Sequence, residues 1–183
     1  MALFLTDSFD DKQSKGSKLE EGNWTPSTFS RFIDVSGNSS IEVINNRLLF
    51  DMNNPFGPAV ATVEYEKKTV DDFMNLSRIS AIRVRYIIRP GSDALLFGRM
   101  ILTDNTDKIA ESDIVLPGLL NVENERAWIL NQFVKDIGFD FANIKKATVQ
   151  FIVGATFFSN ATIFSLQSVI GNNTFNILNT CGY

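Results

Sequence analysis

Carboxylates are the only side chains in this chain whose number and spacing suit acid–base chemistry. Asp71 with Asp72, Asp104 with Asp107, and Asp136 with Asp140 are close pairs. Two carboxyl groups flanking one bond are what glycoside hydrolysis requires. All three pairs lie in turn signals, where acids are ordinary. The chain has no histidine, which removes Ser-His-Asp triads, Cys-His pairs and most zinc and iron sites. Cys181 is the single cysteine. It allows no internal disulfide, and it reads either as a bystander near the end or as an intermolecular bridge. No glycine-rich phosphate loop is present. An enzyme is therefore not expected.

Arginines are the second group to weigh. In residues 79–103, Arg83, Arg85 and Arg89 alternate with Ile82, Val84, Tyr86 and Ile88. Period two marks a half-buried strand, with the arginines on the open face. The segment reads as two antiparallel strands joined by a turn at Arg89-Pro90-Gly91-Ser92-Asp93. Arg99 lies on the second strand, on the side of Leu95, Phe97 and Ile101. Two readings apply: a solvated, ion-paired sheet face with Glu64 and Glu66 as partners, or a ligand groove or subunit contact, because arginine beside apolar residues is common at interfaces.

The elements that must position these groups follow from composition and pattern. The 183 residues are 44% hydrophobic and 21% charged, which suits one globular domain with a real core. Sixteen Phe against two Trp and three Tyr favours packing over a polar aromatic platform. The net charge of −4, with no long basic run, argues against nucleic acid. No signal peptide and no membrane span is read. Synthesis in the cytoplasm is expected, followed by incorporation into a virion or a cell or spore surface structure.

In chain order, strands are expected at residues 3–9, 29–35, 59–66, 114–116, 147–153 and 162–170, and a hairpin at 41–50 around Asn45-Asn46. Residues 11–22 read as a surface loop, and 70–77 as one helical turn. Residues 127–134 fit strand or helical turn equally. With the pair at 79–103 this makes eight to ten short strands, turn signals between them and no long helix. A single-domain, all-β antiparallel sandwich (a jelly roll) follows over residues 1–171. Residues 172–183 form a tail whose Phe175, Ile177 and Cys181 suggest an inter-subunit strand in a homo-oligomer.

The order LTDSFDD, a Phe-rich strand, IEVINNRLLF, the 79–103 pair, ANIKKATVQF and IFSLQSV resembles the galactose-binding-like jelly rolls of carbohydrate-binding modules and many surface proteins. The resemblance covers residues 3–170. It implies a structural calcium near the first and last strands, and Asp7, Asp10 and Asp11 are placed to supply its oxygen ligands. A solvated acidic turn explains the same residues without an ion, and no cofactor is required. The Trp and Tyr platform of such modules has no clear match.

Two functions fit this sequence. The leading expectation is a non-enzymatic structural subunit of a surface assembly, such as a virion component or appendage. The alternative is a carbohydrate-binding module recognising a glycan. It calls for an exposed aromatic pair, Trp24 with Tyr65 or Tyr86, and burial of those rings defeats it in that form.

Overall fold

The computed structural model describes residues 6–7, 13–16, 18–20, 29–35, 39–43, 48–52, 59–89, 96–114, 122–153 and 159–170. Fourteen strands occur among them. The first seven are β1 (Thr6–Asp7), β2 (Gln13–Gly16), β3 (Lys18–Glu20), β4 (Phe29–Val35), β5 (Ser39–Val43), β6 (Leu48–Met52) and β7 (Ala59–Lys67). The rest are β8 (Ile79–Arg89), β9 (Leu96–Asp104), β10 (Ile109–Glu111), β11 (Glu123–Ile129), β12 (Val134–Lys135), β13 (Ile144–Val153) and β14 (Ser159–Ile170). A 3-10 turn, Leu130–Gln132, follows β11. Among the described residues no α-helix occurs, and no helix is long and apolar enough to cross a membrane.

All pairings between these strands are antiparallel. They build two seven-stranded sheets. The first runs β11-β8-β14-β6-β5-β2, with β1 also on β14; the second runs β12-β10-β9-β13-β7-β4-β3. The chain crosses repeatedly from one sheet to the other. The result is an antiparallel β-sandwich of the jelly-roll kind.

The core lies between the sheets and follows the alternation in the sequence. Phe29 and Ile33 of β4, Val63 and Tyr65 of β7, Met100 and Leu102 of β9, and Val149 and Phe151 of β13 face Ile82, Val84 and Tyr86 of β8 and Trp128 of β11. One polar cluster is sealed inside. Asp7 of β1, in the first sheet, accepts hydrogen bonds from Arg31 Nη1 at 3.0 and 2.8 Å and from the Tyr65 hydroxyl at 2.8 Å. Arg31 and Tyr65 belong to the second sheet, so the cluster ties the two layers together. Its burial is affordable because the opposite charges meet with several hydrogen bonds.

Four local expectations are corrected. The 79–103 segment is not a hairpin: β8 bonds to β11 and β14, and β9 bonds to β10 and β13, in the opposite sheet. Alternation reports which face is buried. It does not report whether two strands share a ladder or face each other across the core. Residues 11–22 include β2 and β3, polar strands at the outer edges of the two sheets. Edge strands tolerate polar residues, so composition hid them. Residues 70–77 form no helix. Met74 exchanges backbone hydrogen bonds with Ile144 (2.9 and 3.0 Å), and Leu76 N–H donates to Phe141 O at 2.8 Å. Those partners replace the ones a helical turn needs. Finally, of the strand expected at 114–116, Ile114 is outside any strand and residues 115–116 lie outside the described residues; β10, at Ile109–Glu111, was not expected.

Candidate functional site

The outer face of the second sheet carries a trough of about 400 Å³ lined by Phe32, Asp34, Thr62, Glu64 and Glu66. Its origin is the alternation of two adjacent strands. On β4, Phe29, Arg31 and Ile33 are buried, which turns Phe32 and Asp34 outward. On β7, Ala61, Val63 and Tyr65 are buried, which turns Thr62, Glu64 and Glu66 outward. Register aligns the two sets: Phe32 stands opposite Glu64, Asp34 opposite Thr62, and Ser30 opposite Glu66. The trough therefore has an aromatic ring beside carboxylates and a hydroxyl, all held on paired strands. Side chains carried on rigid strands keep their geometry better than side chains on loops.

The next strands extend this polar face. Lys146 of β13 pairs with Glu64 at 2.9 Å, and the Thr148 hydroxyl lies 3.5 Å from the same carboxylate oxygen. Further along, Arg99 Nε donates to Gln150 Oε1 at 2.7 Å, and its Nη1 lies 3.8 Å from Glu111. Strands in a sheet are about 4.8 Å apart, so the five from β4 through β7, β13 and β9 to β10 span roughly 19 Å.

Arg83 and Arg85 lie on the other side of the molecule, on the outer face of the first sheet. Arg83 stands 3.5 Å from Glu125, and Arg85 pairs with Glu123, both partners on β11. Glu64 and Glu66, the partners expected from the sequence, are in the second sheet. Arg99 is thus separated from Arg83 and Arg85 by the whole sandwich, and the three do not form one groove. Tyr65 and Tyr86 are 0% and 7% exposed. They are core residues and cannot serve as a surface platform. Asp7, proposed as a calcium ligand, is the buried partner of Arg31 and Tyr65. Asp10, Asp11, Trp24, Phe175, Ile177 and Cys181 lie outside the described residues. Among those described, no group of three or more His, Cys, Asp or Glu side chains suits a metal ion.

The carboxylate pairs singled out in turns serve the turns. Burial pushes the Asp104 carboxyl up, but hydrogen bonds from the Thr106 hydroxyl and from the N–H groups of Thr106, Asp140 and Lys108 outweigh it and hold it below the usual range. Asp136 accepts from Ile109 N–H at 2.8 Å, and Asp140 accepts from Ala142 N–H at 2.8 Å. Asp107 pairs with Lys145, and Asp72 accepts from Thr69. Three of the trough residues, Thr62, Glu64 and Glu66, are legible in the sequence as the polar half of 59–66; Phe32 and Asp34 are not. What the sequence lacked was the neighbour: only the register of β4 on β7 sets Phe32 beside Glu64.

No family model and no curated protein matches the chain. Solved structures do. The family 11 carbohydrate-binding module of the cellulosomal cellulase Lic26A-Cel5E of Clostridium thermocellum matches with a TM-score of 0.52 at 10% identity, over 93% of this chain and 96% of that one. The family 11 module from Clostridium thermocellum in complex with a β-1,3-1,4-mixed-linked tetrasaccharide matches with a TM-score of 0.52 at 11% identity, over 93% and 98%. At such identity the likeness is one of fold, and the fold of this chain is the β-jelly roll seen in carbohydrate-binding modules.

Proposed function

We propose that this domain binds a glycan on the outer face of its second sheet, without catalysis. The observation that carries this reading is the trough of Phe32, Asp34, Thr62, Glu64 and Glu66. Sugar rings present apolar C–H faces and a rim of hydroxyls. An aromatic ring offers a stacking surface to the former, and carboxylates accept strong hydrogen bonds from the latter. The jelly-roll fold shared with a module solved in complex with a tetrasaccharide supports the reading by analogy.

This version differs from the one expected from the sequence. The platform of Trp24 with Tyr65 or Tyr86 is replaced by Phe32 with its carboxylate neighbours. The structural-subunit reading draws no support from the similar structures. It keeps a separate check: light scattering of the full chain against a chain cut after Gly171.

The experiment is a binding screen of the full chain on immobilised and soluble glycans, repeated with Phe32→Ala and Glu66→Gln. Retention on at least one glycan, weakened in both variants and without shortening of the oligosaccharide, supports the proposal. Retention that neither variant alters moves the site elsewhere, and cleavage replaces binding with hydrolysis.

A further inference from the structure

The buried cluster of Asp7, Arg31 and Tyr65 lies directly beneath the trough. Arg31 and Tyr65 are register partners on β4 and β7. Their chain neighbours are residues of the trough itself: Phe32 follows Arg31, and Glu64 and Glu66 flank Tyr65. Successive strand residues point to opposite faces, so a hold on the inward side chains also fixes the backbone that carries the outward ones. Asp7 supplies that hold from the opposite sheet. Its carboxylate accepts Arg31 Nη1 on both oxygens, at 3.0 and 2.8 Å, and the Tyr65 hydroxyl at 2.8 Å. One group thereby clamps two adjacent strands. Apolar packing is non-directional, whereas charge-assisted hydrogen bonds fix distance and angle. The clamp also sits near a margin of the sheet. Beyond β4 comes only β3, paired with it over three residues, and lightly held margins open locally.

From this arrangement we infer that Asp7 is a positioning residue of the glycan site. Acting through Arg31 and Tyr65, it holds β4 against β7 in the spacing that sets Phe32 beside Glu64. It touches no glycan. The inference rests on the glycan-binding reading and adds a control to it: β1, two residues paired with β14 in the first sheet, governs a face on the far side of the second. A binding constellation keeps its geometry only when the residues that support it are themselves locked.

The test compares full chains carrying Asp7→Asn, Tyr65→Phe or Leu102→Ala, each well below its melting temperature. Tyr65→Phe keeps the ion pair and loses one hydrogen bond, so it decides the question if Asp7→Asn does not fold. Leu102 is buried on β9, outside the clamp, and its variant reports what lost stability alone does. Backbone amide hydrogen exchange is followed by NMR. Calorimetry gives the affinity for soluble mixed-linked β-glucan and β-1,4-glucan oligomers, and for any oligosaccharide that the glycan screen retains. In Tyr65→Phe, exchange across β4 and β7 should quicken by about fivefold, the scale of one lost hydrogen bond, with β9 and β10 unchanged. Both clamp variants should bind more weakly, by roughly threefold or more, and Leu102→Ala should bind as the unsubstituted chain does. Exchange that quickens evenly through both sheets marks Asp7 as a residue of general stability and overturns the inference. Unaltered affinity in the folded clamp variants also overturns it and leaves glycan binding intact. Failure of the unsubstituted chain to bind any of these glycans removes the reading and the inference together.

Discussion

Asp7 and Arg31 form an ion pair across the sandwich, with Nη1 2.8 Å from Oδ2 and both side chains shielded from solvent. β1 is only two residues long, and its place on β14 is reinforced by this pair and by the Tyr65 hydroxyl. Removing one partner strands the other charge in the core. Arg31→Met is predicted to lower the unfolding free energy by about 3–5 kcal/mol, and Tyr65→Phe by about 1 kcal/mol. Urea unfolding at neutral pH measures both. A loss for Arg31→Met no larger than that for Tyr65→Phe would show that water reaches the cluster.

Phe32 and Ile33 are neighbours in sequence on opposite faces of β4. Phe32→Ala is predicted to weaken glycan binding by up to about tenfold through lost ring stacking, with little change in melting temperature. Ile33→Ala leaves a cavity in the core and should cost about 2–5 kcal/mol of stability. Paired binding and thermal-melt measurements check this. The opposite pattern would reverse the assignment of faces.

Asp104 organises the turn after β9. Its folded-state pKa lies below the ordinary value of 3.8. A depressed carboxylate contributes stability that is fully present above its unfolded value and lost as pH falls through its folded value. Asp104→Asn should therefore cost stability at neutral pH, about 2 kcal/mol for the weakened hydrogen bonds. The gap to the unsubstituted protein should shrink under acid conditions, below the ordinary Asp value. Denaturant midpoints across a pH series test the sign, and a gap that widens in acid would contradict it.

Gly98 of β9 faces Trp128 of β11 across the core. A Cβ at position 98 would stand 3.4 Å from Trp128 Cζ2, an ordinary contact. Gly98→Ala is thus predicted to be neutral or slightly stabilising, since glycine weakens a strand interior. Gly98→Leu must displace the indole and should cost about 1–3 kcal/mol. Thermal melts with tryptophan fluorescence report both effects.

How much of this was legible in the sequence depends on the physics involved. Strand faces were: the alternation in 59–66 separates Val63 and Tyr65 from Thr62, Glu64 and Glu66, and 29–35 matches β4 residue for residue. Pairing was not. Residues 79–103 carry the right faces in both strands, yet the strands belong to different sheets, because long-range hydrogen-bond partners leave no local signal. The polar edge strands β2 and β3 lack the apolar periodicity that announces a strand. A tyrosine's polar tip suggests a surface aromatic, yet Tyr65 lies on the inward half of its own alternation and both Tyr65 and Tyr86 are buried. The trough leaves no local signal because it joins residues about thirty positions apart through a register that only the fold supplies.

Glycan binding is proposed on the β4–β7 face. It is tested most directly by following backbone amide NMR shifts while the full chain is titrated with soluble oligosaccharides, including the mixed-linked β-glucan and β-1,4-glucan oligomers. Saturable shifts are expected at Phe32, Asp34, Thr62, Glu64 and Glu66, fading across Thr148 and Gln150. Shifts centred on Arg83 and Arg85 instead, or none with any oligosaccharide, would contradict it.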